Sequence, residues 1–377
     1  MHWEKLLHDQ ALSEFGEVTP PIFQNSLFSF ATVAEFEEAM NQGTRPVYTR
    51  IANPTVRVFE RKVAELEGAA DAVAFASGNA AMAALLFSLL EAGDRVVAAT
   101  PVYAGTYGLL TRMLAKLGVR ADLIDGKDTA ALIAALPGAK VLLLESPTSY
   151  TFELQDLEPL TAAAREAGVL SVIDNTYGAG VYLRPLEHGV DVVVHSATKY
   201  ISGHSDVVAG VVAGPTEITH QVRSQGLVFL GGKLAPLEAW LLVRGLRTLE
   251  LRLDRHQQSA LTVARFLEAH PKVARVIHPG LESYPQRELA EKYLRGTGGL
   301  FSLELADGAA AKRFADALEL FQIGVSWGGH ESLVLPLAAQ PRVVASYEFP
   351  EGLVRLFVGL EPAQVLIADL ERALDSV

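Results

Sequence analysis

The stretch Asp191-Val-Val-Val-His-Ser-Ala-Thr-Lys-Tyr200 joins a short β-branched run to a lysine. Earlier in the chain, the run Val169-Leu-Ser-Val-Ile-Asp174 ends in an acidic residue. Short apolar runs that are rich in valine and isoleucine and end in polar residues are typical of buried strands. In open α/β sheets, ligands bind outside the carboxyl ends of such strands. The sequence therefore predicts that Lys199 and Asp174 lie at one edge of a sheet.

A lysine and an aspartate in this arrangement are the two groups that a pyridoxal phosphate (PLP) enzyme requires. Lys199 would form the Schiff base, and Asp174 would keep the pyridine nitrogen protonated. Taken alone, Lys199 is more simply a surface cation and Asp174 a helix cap. The hydroxyls of Ser196 and Thr198, which can hold a phosphate, favour the cofactor interpretation.

Short β-branched runs alternate with alanine- and leucine-rich segments between about residues 56 and 250, a pattern that predicts an α/β fold with a mostly parallel sheet. We predict strands at 72–76, 95–100, 140–145, 169–174, 191–195 and 207–213. Helices are predicted at 79–91, 157–167 and 234–249.

Two further candidate sites follow strand ends. Ser77-Gly78-Asn79 precedes a predicted helix, whose N-terminal N–H groups would bind a phosphate. Tyr103 follows another strand and could lay its ring against a heteroaromatic cofactor. A turn and cap for the first, and core packing for the second, are the simpler readings of each segment alone.

Arg355 lies within the apolar run Val354-Arg-Leu-Phe-Val358. An arginine inside an apolar strand needs a buried anion as its partner. A substrate carboxylate, held by two parallel hydrogen bonds, would supply that anion.

The chain has 377 residues, of which half are hydrophobic. This length exceeds what one hydrophobic core usually supports, and we predict three regions along the chain. Residues 1–55 show little periodicity and predict an arm that lies against a neighbouring surface. Residues 56–250 predict the large sheet domain that binds the cofactor. Residues 251–377 mix strands at 273–277, 299–305 and 354–358 with helices at 258–269 and 309–318, which predicts a smaller α+β domain that holds the substrate carboxylate.

Composition excludes several classes of function. The net charge of -12 disfavours nucleic acid as a partner. The chain has no cysteine, so disulfides and thiolate nucleophiles are ruled out. No signal peptide or apolar membrane span is present, and we expect a cytoplasmic protein. No pair of histidines has metal-ligand spacing, so we expect no metal site.

The chain resembles the Cys/Met-metabolism family of PLP enzymes, which includes cystathionine β-lyase, cystathionine γ-lyase, cystathionine γ-synthase and methionine γ-lyase. The resemblance runs from about Thr19 to the end. It is carried by Ser77-Gly78, Asp174-Asn-Thr176 and Arg355, and by four longer motifs: Tyr48-Thr-Arg-Ile-Ala-Asn-Pro-Thr55, Ser196-Ala-Thr-Lys-Tyr-Ile-Ser-Gly-His-Ser-Asp206, Arg244-Gly-Leu-Arg-Thr248 and Val358-Gly-Leu-Glu361.

The resemblance implies the aspartate aminotransferase-like fold, which is fold type I of PLP-dependent enzymes. It also implies site roles: Lys199 as the Schiff-base lysine, Asp174 as the pyridine-nitrogen partner and Tyr103 as the ring-stacking residue. Phosphate ligands would be Ser77, Gly78, Asn79, Ser196 and Thr198. Tyr48 and Arg50 would reach the cofactor of a neighbouring subunit, because family members assemble as tetramers of two catalytic dimers.

The expected activity is that of a carbon–sulfur lyase of trans-sulfuration, acting in methionine and cysteine metabolism. Ser149 and the pair Ser326-Trp327 resemble bacterial cystathionine β-lyases, whose β-elimination gives homocysteine, pyruvate and ammonia. Tyr48-Thr-Arg-Ile-Ala-Asn-Pro-Thr55 instead resembles the γ-acting branch, so a γ-lyase or γ-synthase remains the alternative. We expect Arg355, Ser326, Trp327 and Ser149 to contact the substrate, a small sulfur-containing amino acid.

Two alternatives from other classes remain open at this stage. One is a non-catalytic binding protein that keeps the fold and the cofactor. The other is an aldolase that uses Lys199 without a cofactor. A Lys199→Ala variant that keeps its full biological effect would support the first alternative. The absence of a yellow aldimine absorbance in the purified protein would support the second.

Overall fold

The computed structural model of the chain describes residues 3–9, 12–339 and 347–377. Within this part of the chain, two β-sheets are each flanked by helices. The predicted arm, residues 1–55, and the predicted C-terminal domain, residues 251–377, each include a few positions outside these ranges. The domain limits themselves stay predictions.

The larger sheet has seven strands in the order β1-β7-β6-β5-β4-β2-β3. Four neighbouring pairs are parallel, and only β7 runs against both of its neighbours. The predicted mostly parallel sheet is thus confirmed. The strands are β1 (Asp71–Phe75), β2 (Arg95–Thr100), β3 (Arg120–Asp125), β4 (Val141–Glu145), β5 (Leu170–Asp174), β6 (Val192–His195) and β7 (Gly210–Gly214).

Helices precede, connect and follow these strands. They are α1 (Trp3–Leu7), α2 (Val33–Gln42), α3 (Pro54–Glu67), α4 (Gly78–Leu89), α5 (Ala104–Gly108), α6 (Thr129–Ala135), α7 (Leu157–Glu166), α8 (Thr216–Gln221), α9 (Val228–Leu230) and α10 (Pro236–Leu246). Two π-helical segments continue α5 and α8, at Leu109–Leu114 and Val222–Leu227, and a 3-10 helix covers Pro185–His188.

The sheet is buried on both faces because alternate side chains of each strand enter different apolar clusters. In β5, Val172 packs in the cluster that includes α4, whereas Ile173 packs in the cluster that includes α7. This double burial explains why the central strands read as continuous apolar runs in the sequence.

The smaller sheet has the order β10-β11-β12-β9-β8. Its strands are β8 (Arg275–Ile277), β9 (Leu300–Glu304), β10 (Gln322–Ile323), β11 (Leu333–Pro336) and β12 (Leu353–Phe357). Its helices are α11 (Leu249–Glu268), α12 (Arg287–Tyr293), α13 (Gly308–Ala317) and α14 (Ala363–Asp375), with a 3-10 turn at Leu337–Ala339.

The alternation of side chains between the two faces of β12 determines which way Arg355 faces. Val354 and Leu356 pack in the cluster that contains α11, α13 and α14. Leu353 and Phe357 belong to the cluster shared with the larger sheet. Because successive strand residues face opposite sides, Arg355 lies on the same face as Leu353 and Phe357, towards the larger sheet.

The structure corrects several predicted elements. Helix α11 begins at Leu249, well before the predicted start at 258, and crosses the predicted domain limit at 250. The strand predicted at 207–213 begins only at Gly210. Strand β3 was not predicted because it is a charged edge strand without an apolar run. Helix α2 was also not predicted, although Thr32 and Glu35 form a capping pair at its start.

Among the described residues, no helix is both long and apolar enough to cross a membrane. The cytoplasmic location stays a prediction.

Candidate active site

Six strands of the larger sheet run in one direction. Strands β2 to β6 are linked by parallel pairings. Strand β1 joins them because it is antiparallel to β7, which is antiparallel to β6. Their carboxyl ends therefore meet at one edge. Asp174 ends β5 at this edge, and the turns that follow the other strand ends carry Ser77, Tyr103, Ser149 and Lys199.

Lys199 lies in the turn after β6 and is half-buried. Its Nζ donates a hydrogen bond to Ser326 Oγ at 2.7 Å and lies 5.7 Å from the centroid of the Trp327 ring. Burial lowers the pKa of Lys199 to about 8; the charge of Arg355 adds to this effect, and Asp174 opposes it. A much larger fraction of this amine than of an ordinary lysine is thus neutral near pH 7, and the neutral amine is the state that attacks a carbonyl carbon.

Asp174 ends β5 with a half-buried carboxylate. Its Oδ1 accepts hydrogen bonds from the backbone N–H and the hydroxyl of Thr176, at 3.0 and 2.5 Å. Burial raises the pKa of Asp174, while the hydrogen bonds from Thr176 and the electrostatic influence of His195 and Lys199 act in the opposite direction. A cationic N–H against this carboxylate would offset the cost of burial, which fits a protonated pyridine nitrogen.

The turn before α4 forms a narrow cradle. Ser77 Oγ accepts the backbone N–H of Ala80 at 3.0 Å and so caps the helix. A Cβ added at Gly78 would lie 2.9 Å from Ser196 Cβ and 3.0 Å from Ser196 Cα, closer than side chains pack. Only glycine lets these two turns approach, and the helix N-terminus beside them suits an anionic phosphate.

Ser196 and Thr198, the two predicted phosphate ligands beside Lys199, have different surroundings. The backbone N–H of Ser196 donates to Thr176 Oγ1 at 2.8 Å, and the Ser196 side chain faces Gly78. The Thr198 hydroxyl accepts from the backbone N–H of Ala209 and donates to its carbonyl. Thr198 thus fastens the turn to the segment before β7, whereas Ser196 faces the cradle.

Tyr103 lies over the same cradle. A Cβ added at Gly105 would contact both the Tyr103 ring and the Asn79 amide, so these two side chains are neighbours. The Tyr103 side chain is 43% exposed, and its backbone N–H is fixed by Glu145 Oε2 at 2.6 Å. Burial raises the pKa of the Tyr103 phenol, and Tyr150, Asp174 and Glu145 add to the effect. A held backbone with an accessible ring fits the predicted stacking role.

Arg355 brings a buried positive charge to the site. The residue is 5% exposed, and its Nη2 donates to the carbonyl of Val325 at 2.7 Å. Its Cζ lies 5.2 Å from the centroid of the Tyr150 ring. Burial lowers the pKa of Arg355, and among the described residues no carboxylate forms an ion pair with it. A carboxylate ligand would complete this guanidinium.

Trp327 and Ser149 lie in different parts of the site. The Trp327 ring packs against Tyr200, with ring centroids 5.2 Å apart, and is nearly buried. Ser149 Oγ donates to Glu145 Oε1 at 2.5 Å. The predicted substrate residues Ser326 and Trp327 are therefore next to Lys199, whereas Ser149 is held by a carboxyl group to which the sequence analysis assigned no role.

Tyr48 and Arg50 lie outside this cluster. Arg50 Nη1 donates to the carbonyl of Val228 at 2.8 Å, and its Cζ lies 5.5 Å from the Tyr48 ring centroid. Tyr48 forms a β-bridge with Leu27 and is exposed. Across the part of the chain that the structure describes, no hydrogen bond, ion pair or ring contact joins either residue to Lys199 or Asp174 of the same chain.

Sequence reasoning missed three side chains of the site: Glu145, Tyr150 and Thr176. Glu145 ends an apolar run, as Asp174 does, and this sequence pattern could have identified it. In the structure the two residues lie opposite each other in the register of β4 and β5. His195, at the end of β6, precedes Lys199 in the chain, and its Nε2 is 2.6 Å from Glu67 Oε1 in a fully buried pair.

The residues present fit pyridoxal phosphate. A lysine with a lowered pKa would carry its aldehyde carbon, Asp174 its ring nitrogen and Tyr103 its ring face. The cradle at Gly78 and Ser196, which has no room for a side chain, would receive its phosphate.

Comparison with known proteins gives the same assignment. A sequence model of the family described as Cys/Met metabolism PLP-dependent enzyme matches residues 5–375. L-methionine gamma-lyase of Pseudomonas putida is 40% identical over 370 residues, which cover 95% of this chain and 93% of that protein. Cystathionine beta-lyase of Lactococcus lactis subsp. cremoris is 36% identical over 371 residues, which cover 96% of this chain and 94% of that protein.

A solved structure is similar along the whole chain. The metY structure from Campylobacter jejuni has a TM-score of 0.95 at 29% sequence identity, and the match covers 99% of each chain. That structure contains N'-pyridoxyl-lysine-5'-monophosphate, a covalent adduct of lysine and the cofactor.

Proposed function

Because the chain belongs to the family of Cys/Met metabolism PLP-dependent enzymes, we propose that it cleaves a carbon–sulfur bond by β-elimination, as a cystathionine β-lyase does. The products would be homocysteine, pyruvate and ammonia. The observation that carries the proposal is the packing of the Lys199 amine between Ser326 Oγ and the Trp327 ring.

The bound cofactor would supply an electron sink for the pair released when the Cα–H bond breaks. Lys199 and Asp174 would hold it at its aldehyde carbon and ring nitrogen, and Tyr103 would cover its ring. Ser77, Gly78, Asn79, Ser196 and Thr198 would hold its phosphate.

The remaining steps belong to the protein. The Arg355 guanidinium would bind the substrate carboxylate and so fix the orientation of Cα. The neutral amine of Lys199 would take the Cα proton, and its pKa near 8 suits a base that works close to neutral pH. Ser326 Oγ would hold that amine in position. The thiolate then leaves from Cβ, and the remaining three-carbon fragment hydrolyses.

A narrow space around Lys199 favours β-elimination. A γ-elimination requires a second deprotonation at Cβ, so the same amine has to move between two carbon atoms. The indole of Trp327, wedged against Tyr200 and close to Nζ, leaves less room for that movement than a small aliphatic side chain would. Ser149, fixed by Glu145, fits the same branch of the family.

A γ-lyase acting on methionine is the second candidate. It is favoured by the 40% identity with the methionine gamma-lyase of Pseudomonas putida and by the γ-type motif that begins at Tyr48. Small changes in side chains are enough to redirect such reactions, so the fold supports both.

The arm supports a proposed assembly in which two chains complete each other's sites, with two such dimers in a tetramer. Tyr48 and Arg50 would reach the neighbour's phosphate, since they lie apart from their own Lys199. Large apolar side chains are exposed in the arm, at Phe15 (85%) and Val18 (88%), and in helix α9, which Arg50 contacts, at Phe229 (80%). Such exposure is typical of surfaces that bind another chain. We expect a particle of roughly four times 40.5 kDa.

The test is to incubate the PLP-loaded protein with L-cystathionine and identify the keto acid and thiol by mass spectrometry. Pyruvate with homocysteine supports β-elimination. 2-Oxobutyrate with cysteine, or 2-oxobutyrate with methanethiol from L-methionine, would replace it with γ-elimination. Lys199→Ala is the inactive control, and Lys233→Ala is the matched lysine control.

A further inference from the structure

Glu145 is a buried acid that the proposed reaction does not use. It ends β4, in the apolar run Val141-Leu-Leu-Leu-Glu145, and is only 5% exposed. Among the ion pairs of the described ranges, none includes Glu145. Burying a carboxyl group without a cation is costly unless its oxygens are hydrogen-bonded, so the bonds that it makes have to account for its position.

Those bonds join two different turns of the site. Oε2 accepts the backbone N–H of Tyr103, in the turn after β2, at 2.6 Å. Oε1 is bonded to Ser149 Oγ, in the turn after β4, at 2.5 Å. One side chain therefore fixes both the turn that carries the ring-stacking tyrosine and a proposed substrate contact.

Asp174 lies directly opposite Glu145 in the parallel register of β4 and β5. Paired residues share a face of the sheet, so the two carboxyl groups are neighbours. Burial raises the pKa of Glu145 to about 8, and the negative charge of Asp174 adds to this shift. The other ionisable groups facing this corner are Tyr103, Tyr150, His195, Lys199 and Arg355.

We propose that Glu145 is a positioning residue that holds Tyr103 and Ser149 in place as a neutral carboxylic acid and leaves the negative charge of this corner to Asp174. In this form its carbonyl oxygen accepts from the backbone N–H of Tyr103. In the 2.5 Å contact with Ser149 Oγ, where an ionised carboxylate would accept, the acid hydroxyl of Glu145 is instead the donor. The proposal rests on the cofactor role of Tyr103 and the substrate role of Ser149 in the proposed function.

Two variants test the proposal. Glu145→Gln is isosteric with the neutral acid and can make both bonds, so it should keep the wild-type dissociation constant for PLP and the wild-type KM within about threefold. Glu145→Ala removes both bonds and should raise each constant on the order of tenfold. The PLP constant is measured by titrating the cofactor-free protein and following absorbance.

A matched control separates positioning from general destabilisation. Asp369 is another buried acid, and it accepts the backbone N–H groups of Glu319 and Leu320 in the smaller sheet region. Asp369→Ala should lower thermal stability without changing the PLP constant. If Glu145→Ala does not fold, Ser149→Ala and the shorter Glu145→Asp supply partial losses of the same contacts.

Two results would overturn the proposal. Unchanged PLP and KM values in Glu145→Ala would show that the contacts position nothing. A Glu145→Gln variant as impaired as Glu145→Ala would show that the ionised carboxylate is required. Failure of the wild-type protein to cleave sulfur amino acids would instead contradict the proposed function, and the PLP measurement stays valid in that case.

Discussion

At the scale of single residues, ionisable groups in this site are buried without full compensation of their charge. Burial lowers the pKa values of Lys199 and Arg355 and raises those of Asp174 and Glu145. Perturbed acids and bases gathered in one cleft are typical of active sites. Asp174 lacks a cationic partner, which the ring nitrogen of the cofactor would supply. Arg355 lacks an anionic partner, which the substrate carboxylate would supply.

The pKa of Lys199 predicts how cofactor capture depends on pH. Below its lowered pKa the amine is protonated and cannot attack an aldehyde; above it the amine is neutral and can. The rate at which cofactor-free protein captures PLP should therefore rise with pH and level off with an apparent pKa near 8, instead of about 10.4 for an ordinary lysine. Stopped-flow absorbance at several pH values measures this, and a rate still rising steeply at pH 10 would contradict it.

The contact between the Tyr150 ring and the Arg355 guanidinium can be tested by substitution. Replacing the ring with leucine removes the cation–π contact, so Tyr150→Leu should raise KM about fivefold, equivalent to ~1 kcal/mol, with a smaller effect on kcat. Tyr150→Phe keeps the ring and is the matched control. Equal KM values for both variants would assign the effect to the hydroxyl or to general packing.

At the scale of elements, the site depends on turns that come closer together than side chains allow. The turn before α4 and the turn after β6 meet at Gly78 and Ser196, and Gly210 of β7 packs as closely against the backbone of Ser77. These contacts bring the N-terminus of α4 beside Lys199. The helix thus contributes backbone N–H groups and a positive dipole end where a phosphate would lie.

Gly78 gives an element-scale prediction. An added Cβ at 2.9 Å from Ser196 would push the two turns apart, so Gly78→Ala should weaken PLP binding at least tenfold, about 1.4 kcal/mol or more. Gly108→Ala is the control, because a Cβ there meets nothing within 4 Å and alanine favours helices. Unchanged PLP affinity in Gly78→Ala would mean that the cradle does not hold the phosphate.

At the scale of the whole molecule, two sheets supply opposite sides of one site. The larger sheet provides Lys199, Asp174 and Tyr103, and strand β12 of the smaller sheet provides Arg355 on the face that it shares with the larger cluster. The segment with Ser326 and Trp327 closes on Lys199, where Gly328 packs against the Lys199 backbone. In the proposed assembly, the arm of a second chain completes this site.

A mixing experiment tests that assembly. If Arg50 serves the neighbour's cofactor, inactive Lys199→Ala and impaired Arg50→Ala chains should form mixed dimers with one intact site. Refolding them together should recover up to about a quarter of the wild-type activity. A mixture of Lys199→Ala and Asp174→Ala is the control, because both changes damage the same chain's share of a site. No recovery beyond that control would show that each chain uses its own arm.

Much of the fold was predictable from particular segments. The runs that end at Asp174 and before Lys199 are apolar because their strands are buried on both faces, so the pattern alone predicts them. Strand β3 escaped prediction because an edge strand can carry charges, and the start of α11 was missed because it follows α10 with only Arg247 and Thr248 between them. A local sequence pattern does not show which strand lies at the edge of a sheet, nor where one helix ends and the next begins.

The sequence by itself determined the family and the mostly parallel sheet, and it singled out Lys199, Asp174 and Arg355 as candidate site residues, because a strand end and an arginine inside an apolar run each leave a local trace. Only the tertiary structure decided how these groups act on one another. Glu145 opposite Asp174, the Tyr150 ring over Arg355 and the Ser326 hydroxyl on Lys199 join segments far apart in the chain or in separate strands. Burial and charge coupling depend on distances through space, which no single stretch of sequence contains.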